Sequence, residues 1–497
     1  MNGIVNYTTE NGNKYLYSYS QKQIILNNPI IEYILNSDEK DDLVIEKLTS
    51  KDNIIIDGVQ LSQEEIKHYC NKYLFFKENH FFDRIDQNKI LSGRITPEMV
   101  EEEFNKANTL VFEVTEKCNL RCEYCIYGDN YSTHEDRLYC DLNIEKSKMI
   151  LEFMKKQWMS SSNINTKKLI GFYGGEALLR FDFIKEIVDY SKKISKETGL
   201  QFHYNMTTNA ILLDKYMDYL VENDFWLLIS IDGDKNNNSY RVFKNKQSSF
   251  DILYKNISLI KEKYPVYFKT NVSFNAVLHN RNDQKEVIRY IKREFGKNIS
   301  CSSIRPGRNI DEKHMNYLPK TDINKIESKE DRDDFMSSNS LDYYLFYKTY
   351  LDNIFKDLNS IRRININNKI FYPTGTCLPF MKKVFVTARG NILPCERVNF
   401  KFVLGKVFDD KIDIDAQIIS DMYNIYYDRI KSLCVKCSKF LFCNTCMLSE
   451  IIQDDNSLVC SNYMNKNEFS DFFSFYWSFF EKYPNVISEI LNTIKDE

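Results

Sequence analysis

The residues most suited to chemistry are cysteines, of which the chain has thirteen. Cys118, Cys122 and Cys125 form a Cys-x3-Cys-x2-Cys pattern in a loop that directly follows a predicted strand. Three thiolates on one loop can hold three irons of a [4Fe–4S] cube and leave the fourth iron open to a substrate. Zinc would need a fourth Cys or His at close spacing, and the nearest candidate, His134, lies in a polar stretch. The spacing therefore favours an iron–sulfur cluster over zinc.

A second group of cysteines lies near the carboxyl end of the chain. Its members are Cys377, Cys395, Cys434, Cys437, Cys443, Cys446 and Cys460. The two Cys-x2-Cys pairs could build a zinc site, but only five residues separate the pairs, and seven cysteines exceed the needs of one zinc. Cys70, Cys140 and Cys301 fall outside both groups, and we expect them to be buried thiols.

Six apolar runs alternate with helical segments and must position the first cysteine loop. The predicted strands cover 110–114, 169–173, 202–206, 226–231, 267–277 and 299–304. This alternation predicts an α/β fold with a parallel sheet, either doubly wound or a partial barrel. In a barrel the chemistry lies at the carboxyl ends of the strands.

The flanking segments differ in character from this alternating region. Strand-like runs at 4–9, 14–19 and 22–26, followed by a helix at 63–75 with a Ser62–Glu65 capping box, predict a small α+β domain. Thr96-Pro97 is typical of a helix start. A charged connector at 309–340 precedes a predicted helix at 341–361, and an aromatic helix is expected at 469–480. We therefore predict four segments: 1–92, 93–308, 309–370 and 371–497.

The composition excludes several classes of protein. Lys and Arg total 67 against 70 Asp and Glu, which leaves a net charge of −3 and no net basic field for nucleic acid. No run of about 18 apolar residues is present to span a bilayer. The first twelve residues lack the hydrophobic core of a signal peptide. We therefore expect a cytoplasmic protein that binds neither nucleic acid nor membrane.

The first cysteine loop resembles the signature of the radical S-adenosylmethionine (radical SAM) superfamily, Cys-x3-Cys-x-aromatic-Cys, with Tyr124 in the aromatic place. The resemblance implies a partial (β/α)6 barrel of the TIM type. It also implies that the open iron chelates S-adenosylmethionine, whose reductive cleavage yields a 5′-deoxyadenosyl radical that abstracts a hydrogen atom. The cofactor supplies that chemistry, and the protein positions and shields it.

Two later motifs fit the same resemblance at predicted strand ends. Gly174-Gly175-Glu176 is similar to the family's GGE motif, in which Glu176 can accept from the methionine ammonium. Thr208-Asn209-Ala210 resembles Thr-Asn-Gly, with alanine in the glycine place. Each motif alone could equally be an ordinary turn or helix N-cap.

The next strand end carries three more residues that the resemblance assigns to the cofactor. Ser230 and Asp232 could bind its ribose or carboxylate, and Arg241 lies where related enzymes hold the methionine carboxylate.

The second cysteine group resembles the SPASM domain, a C-terminal extension of radical SAM enzymes that modify peptides and proteins. The family usually has three residues before the cysteine matched by Cys446, and this chain has two. By resemblance, one auxiliary [4Fe–4S] cluster is held by Cys434, Cys437, Cys443 and Cys460. A second auxiliary cluster is held by Cys377, Cys395 and Cys446, with no fourth thiolate evident. Three clusters and S-adenosylmethionine are thus expected.

The resemblance extends to maturases of ribosomally made peptides, including those that form thioethers between a Cys sulfur and a carbon. In such enzymes an N-terminal domain like 1–92 binds the precursor's leader as an added strand. A reductant such as ferredoxin or flavodoxin is the expected second partner.

The nearest alternative within the family is an anaerobic sulfatase maturase, which makes formylglycine. Those enzymes have Asp after the cysteine matched by Cys395, where this chain has Glu396, a candidate base or simply a surface acid. Carbon–carbon crosslinking of a peptide is a further alternative. A non-enzymatic iron–sulfur electron carrier would have no use for the motifs at the strand ends.

Overall fold

The fold was analysed on a computed structural model. It describes residues 3–125, 138–160, 165–303, 328–333, 335–336, 343, 364–365, 370–449, 451–454, 457–460 and 462–489. The predicted helix at 341–361 and most of the charged connector at 309–340 lie outside the described residues.

The chain opens with a three-stranded antiparallel sheet of order β1-β2-β3. Its strands are β1 (Ile4–Thr8), β2 (Lys14–Ser18) and β3 (Gln23–Leu26), which confirms the three predicted runs. The elements that follow are α1 (Pro29–Asn36), α2 (Asp41–Thr49), β4 (Asn53–Ile56), β5 (Val59–Ser62), α3 (Gln63–Glu78) and α4 (Gln87–Ile90).

Helix α3 begins at the predicted capping box. The Ser62 side chain accepts from the Glu65 backbone N–H, and the Glu65 carboxylate accepts from the Ser62 N–H at 2.8 Å. The helix buries Ile66, Cys70 and Tyr73 against α1 and α2 in a separate small core. The N-terminal region therefore has an apolar core of its own.

Six parallel strands form the centre of the molecule, in the sheet order in which they follow along the chain. They are β6 (Thr109–Thr115), β7 (Lys168–Gly174), β8 (Phe202–Thr208), β9 (Trp226–Ser230), β10 (Val272–Leu278) and β11 (Ile299–Ser303). The helices around them are α5 (Pro97–Lys106), α6 (Ile144–Ser160), α7 (Phe181–Thr198), α8 (Leu213–Glu222), α9 (Phe250–Lys263), α10 (Pro265–Asn271) and α11 (Gln284–Phe295), with a 3-10 helix at Ala177–Arg180. The predicted α/β fold with a partial (β/α)6 barrel is confirmed.

One predicted strand is wrong over its first half. The run 267–277 is apolar and aromatic, which favours a strand, but residues Pro265–Asn271 form α10 and only Val272–Leu278 join the sheet. Pro265 occupies the first helical position, where its fixed φ suits a helix. The Tyr267 hydroxyl then donates to the Phe225 carbonyl, which fixes the helix beneath the preceding strand.

The C-terminal region extends the barrel sheet instead of forming a sheet of its own. After the pair β12 (Ile364–Asn365) and β13 (Ile370–Phe371) come β14 (Val384–Val386), β15 (Asn391–Leu393), β16 (Gly405–Val407) and β17 (Ile412–Ile414). Strand β14 pairs in parallel with β6, and β15 to β17 continue the sheet to ten strands. Helix α12 (Ala416–Cys434), a 3-10 helix (Phe440–Phe442), the hairpin β18 (Ile451–Asp454) and β19 (Ser457–Cys460), and helix α13 (Lys466–Lys482) follow.

Helix α13 packs its aromatic side chains against the N-terminal sheet. The ring of Phe473 stacks on Tyr17 at 4.6 Å and on Tyr7 at 5.3 Å between centroids. The predicted aromatic helix is confirmed, and its packing partners are β1 and β2. In the part of the chain that the structure describes, no helix has the length and apolar character needed to cross a membrane.

Candidate active site and metal centres

The first cysteine loop lies at the carboxyl end of β6 and forms backbone hydrogen bonds with the segment after β9. The Arg121 N–H donates to the Val242 carbonyl at 2.7 Å, and the Glu123 N–H donates to the Tyr240 carbonyl at 3.1 Å. The loop therefore crosses the mouth of the barrel from β6 towards β9. Residues 126–137, which continue the loop, are outside the described part.

The three thiols of this loop lie close enough to affect one another. Burial raises the pKa of Cys122 to about 12, Arg241 acts in the opposite direction, and Cys125 and Cys118 raise it further. The Cys118 sulfur accepts from the Leu120 N–H at 3.4 Å and from the Asn209 side-chain amide at 3.7 Å. Thiolates in this setting need a cation to balance their charge, which is the requirement that an iron–sulfur cluster meets.

Two glycines at the end of β7 let its backbone touch the start of the cysteine loop. The Gly175 N–H donates to the Thr115 carbonyl at 2.8 Å, and the Glu176 N–H donates to the Lys117 carbonyl at 2.9 Å. A Cβ on Gly175 would lie 2.2 Å from the Lys117 oxygen, and one on Gly174 would lie 2.3 Å from the Thr115 oxygen. The Gly-Gly pair thus allows this close backbone contact.

We expect Gly175→Ala to lower the free energy of unfolding by about 1–3 kcal/mol, because the new methyl group must displace the Lys117 backbone. Gly199→Ala is the control, since Gly199 has a φ of +76° but nothing within 4 Å of an added Cβ. That variant should lose about 1 kcal/mol through backbone strain alone. Urea unfolding measures both, and an unchanged Gly175→Ala protein would contradict the close contact.

The Glu176 carboxylate is buried and satisfied within the protein. It accepts from the Thr208 hydroxyl at 2.7 Å and from the Asn209 and Leu178 N–H groups at 2.8 and 3.1 Å. Burial raises the pKa of Glu176 above its usual value, against these hydrogen bonds. Here the side chain joins β7 to β8 and caps the 3-10 helix, while the predicted contact with a methionine ammonium stays a prediction.

The Thr208-Asn209-Ala210 motif follows β8 and touches the cysteine loop. The Asn209 side-chain amide donates to the Asn119 oxygen at 2.8 Å as well as to Cys118. Ala210 has a φ of +57°, in the left-handed region that favours glycine, so alanine occupies a position that suits the glycine of Thr-Asn-Gly.

Asp232 and Arg241 bind each other at the end of β9. The Asp232 carboxylate accepts from Arg241 Nε at 3.0 Å and Nη2 at 3.2 Å, and both side chains are buried. Burial opposes ionisation of Asp232, but Arg241 and the hydrogen bonds to the carboxylate together lower its pKa below the usual value. The cofactor roles predicted for Asp232 and Arg241 stay predictions, since the two groups are committed to each other in this structure.

This ion pair also holds the aromatic residue of the cysteine loop. The Tyr124 hydroxyl donates to Asp232, and its ring lies 5.5 Å from the Arg241 guanidinium. His279 stacks on Tyr124 with centroids 5.6 Å apart, and its Nε2 lies 3.8 Å from Asp232. Sequence reasoning missed His279, since a lone histidine after β10 carries no motif.

Ser230 lies beside this cluster without joining it. Its hydroxyl donates to the Asn275 side-chain oxygen at 3.1 Å, across to β10. The predicted contact with ribose stays a prediction.

The C-terminal cysteines line two pockets, in the same two sets that the resemblance implies. Cys434, Cys437, Cys443 and Cys460 line one small pocket. Around it, the N-terminal region contacts the backbone of the cysteine segment: the Tyr19 hydroxyl donates to the Ser438 carbonyl at 2.9 Å, and the Gln87 amide donates to the Cys437 carbonyl at 3.3 Å.

The other three cysteines line a larger cavity of about 400 Å³. Its lining includes Cys377, Cys395 and Cys446 together with Glu396 and Lys383. The Lys383 ammonium lies 2.9 Å from the Glu396 carboxylate, whose side chain is 18% exposed. Glu396 therefore lines this cavity and is not an exposed surface residue. Sequence reasoning missed Lys383, because the approach of β14 and β15 brings it to the site.

No three His, Cys, Asp or Glu side chains among the described residues are arranged to hold a single metal ion. A zinc ion, with ligands at about 2.0–2.3 Å, requires such a group. A cube of four irons joins thiolates that lie further apart. The donor sets consist of three or four cysteines each, which is the ligand type of iron–sulfur clusters.

The three cysteines outside these sets differ in their exposure. Cys70 is buried, as expected, in the small core of the N-terminal region. Cys140 and Cys301 are only partly buried, so the expectation of a buried thiol is wrong for these two. Cys301 lies within β11, and Cys140 lies shortly before α6, where its carbonyl accepts from the Glu116 N–H at 3.0 Å.

Comparison with known proteins agrees with this arrangement. Residues 112–293, from β6 to α11, match the Radical SAM superfamily. The chain is a radical SAM enzyme. The matched residues of this radical SAM enzyme include the first cysteine loop and the motifs that follow β7, β8 and β9.

Two curated relatives illustrate the similarity. A cysteine-type anaerobic sulfatase-maturating enzyme of Clostridium novyi is 25% identical over 298 residues, which cover 58% of this chain and 72% of the relative. The radical SAM cyclopropyl synthase TigE of Paramaledivibacter caminithermalis is 28% identical over 229 residues, 44% of this chain and 45% of the relative.

A solved structure of histidine-tagged anSMEcpe with bound AdoMet has a TM-score of 0.50 and 18% identity to this radical SAM enzyme. The match covers 77% of this chain and 99% of that chain. This likeness shows the shared fold.

Proposed function

We propose that this radical SAM enzyme modifies a ribosomally made precursor peptide by joining a Cys sulfur to a carbon in a thioether. The observation that carries the proposal is the cavity of about 400 Å³ lined by Cys377, Cys395 and Cys446, with Glu396 in its wall. Three thiols leave one iron of a cluster without a protein thiolate, where a peptide thiolate could bind.

The proposed cofactors follow from the three cysteine sets. Cys118, Cys122 and Cys125 would hold the cluster that binds S-adenosylmethionine, and the two C-terminal sets would hold two auxiliary clusters in a SPASM-type region at 371–497. When bound, the first cluster supplies the electron that cleaves S-adenosylmethionine and so starts hydrogen abstraction. A ferredoxin or flavodoxin is the proposed source of that electron.

Tyr173 on β7 is influenced by residues of both cysteine regions. Burial raises the pKa of Tyr173, and Glu396 of the auxiliary cavity and Cys125 of the cysteine loop raise it further.

The proposed reaction is balanced without a net reductant. One S–H and one C–H bond of the peptide are lost, and one S–C bond forms. The two electrons that leave the peptide convert S-adenosylmethionine to methionine and 5′-deoxyadenosine, and one proton is released. Burial alone would raise the pKa of Glu396, but Lys383, a backbone hydrogen bond and Arg397 together lower it below its usual value. We propose that the Glu396 carboxylate accepts the released proton.

Formylglycine formation is the second candidate, favoured by the same carboxylate. The Clostridium novyi relative is named a cysteine-type anaerobic sulfatase-maturating enzyme. Glu396 directly follows Cys395, where sulfatase maturases have Asp, and its longer arm moves the carboxylate. The Glu396 side chain in the cavity wall is compatible with a base for either reaction.

Mass spectrometry of the product distinguishes the two candidates. The reconstituted protein is incubated with reductant, S-adenosylmethionine and a precursor peptide encoded beside its gene. Thioether formation predicts loss of two hydrogen atoms per link, retained sulfur and fewer thiols open to alkylation. A peptide that loses its Cys sulfur would support formylglycine and overturn the thioether proposal.

The leader of the precursor is proposed to add a strand to the N-terminal sheet at β3. The β1 edge is covered by α13: the Ser470 and Ser474 hydroxyls donate to the Asn6 and Thr8 carbonyls at 2.7 and 2.6 Å. Among the described strands, none pairs with the outer side of β3. Strand addition therefore has one edge available in this sheet.

We expect Leu26→Asp to weaken binding of the precursor about tenfold, because Leu26 on β3 is 55% exposed and would be covered by an added strand. Leu43→Asp is the matched control, since Leu43 is 50% exposed on α2, away from that edge. Fluorescence anisotropy with a labelled precursor measures both. Equal affinities for the two variants would remove β3 as the docking edge.

A further inference from the structure

Tyr423 on α12 is fully buried, and its hydroxyl has no hydrogen-bond partner among the described residues. A buried hydroxyl without a partner is unfavourable, because it has lost water and gained nothing in return. Most such groups in folded proteins do find a partner. Several buried hydroxyls of this protein share this property, but Tyr423 is the one that also lines the cavity of Cys377, Cys395 and Cys446 among the described residues.

The surroundings of Tyr423 indicate a partner for its hydroxyl. The side chain lines the same cavity as Cys377, Cys395 and Cys446. Burial is the largest cause that raises the pKa of Tyr423 well above its usual value, and Tyr427 is the next. The thiols of Cys446, Cys377 and Cys395 raise this pKa further. Tyr423 therefore lies near each member of this cysteine set.

We propose that the Tyr423 hydroxyl donates a hydrogen bond to a sulfur of the cluster held by Cys377, Cys395 and Cys446. Thiolate and sulfide sulfurs accept hydrogen bonds, and such bonds help to set the reduction potential of an iron–sulfur cluster. The inference rests on the proposed auxiliary cluster. Tyr423 is thus a positioning residue that raises the potential of this cluster.

The test is an anaerobic redox titration of the full-length reconstituted protein, followed by electron paramagnetic resonance. Tyr423→Phe removes the hydroxyl and keeps the ring, so one auxiliary cluster should shift to a lower midpoint potential with no loss of iron. Tyr427→Phe is the control, because Tyr427 is equally buried one turn along α12 and does not line the cavity. Its potentials should match those of the unmodified protein.

Two outcomes for Tyr423→Phe would overturn the inference. An unchanged potential would show that the hydroxyl contacts no cluster sulfur, and loss of iron would make Tyr423 a ligand and not a donor. Cys377→Ala separates this failure from that of the proposed function. If that variant keeps the full iron content of the unmodified protein, Cys377 holds no cluster, and the inference fails together with the cluster assignment.

Discussion

Cys118→Ala is expected to abolish cleavage of S-adenosylmethionine while both auxiliary clusters remain. The Cys118 thiol belongs to the loop set, and its sulfur accepts hydrogen bonds from the Leu120 N–H and the Asn209 side-chain amide. Without it the loop has two thiolates, too few to hold three irons of a cube. Iron content should fall by about four atoms per chain. Iron determination and chromatography of 5′-deoxyadenosine measure the two effects.

Cys140→Ala is the control for this variant, because Cys140 is close to the loop in sequence and belongs to neither set. It should keep both the iron and the cleavage activity. Retained cleavage in Cys118→Ala would contradict the assignment of the loop. Loss of all iron in that variant would instead show a general failure to fold around clusters.

Asp232→Asn is expected to lower the free energy of unfolding by about 3–5 kcal/mol, because it leaves the buried Arg241 charge without its carboxylate. The same change weakens the hydrogen bond from Tyr124, so the cysteine loop should also bind its cluster less firmly. Urea unfolding of the cluster-free protein measures the first effect.

A matched control is available in the exposed ion pair of Lys235 and Asp251, whose side chains are 58% and 71% exposed. Asp251→Asn should cost only about 0–1 kcal/mol. The double variant Asp232→Asn with Arg241→Gln should lose less than the sum of its single changes, since removal of one partner causes most of the damage. Additive losses would show that the pair does not act as a unit.

The barrel and the cysteine sets were predictable because their signals are local. Each strand of the barrel except β10 corresponds to a short apolar run in the sequence. Each cysteine set is recognisable from the spacing of its cysteines. The prediction of a strand over 267–271 was wrong. The aromatic side chains of this segment suit a strand, but Pro265 and the contact of Tyr267 with Phe225 favour a helix. That contact joins residues 42 positions apart, and no local pattern encodes it.

The connections between motifs were not predictable for the same reason. Tyr124 and Asp232 are 108 positions apart, and each was assigned separately to the cofactor. Only the folded sheet brings them together with Arg241 and His279. Likewise, the sequence shows Ser474 and Ser478 only as polar positions within an aromatic helix. In the structure the Ser474 hydroxyl donates to the Thr8 carbonyl at the edge of β1, and the Ser478 hydroxyl accepts from the Glu10 N–H at 2.9 Å.

The most direct test of the central claim measures both products of one reaction. The unmodified protein is reconstituted with iron and sulfide under anaerobic conditions and given reductant, S-adenosylmethionine and the precursor peptide. We predict that 5′-deoxyadenosine accumulates in proportion to peptide that has lost two hydrogen atoms per link and kept its sulfur. If no 5′-deoxyadenosine forms, or if it forms while the peptide stays unchanged, a radical SAM peptide maturase of this kind is contradicted.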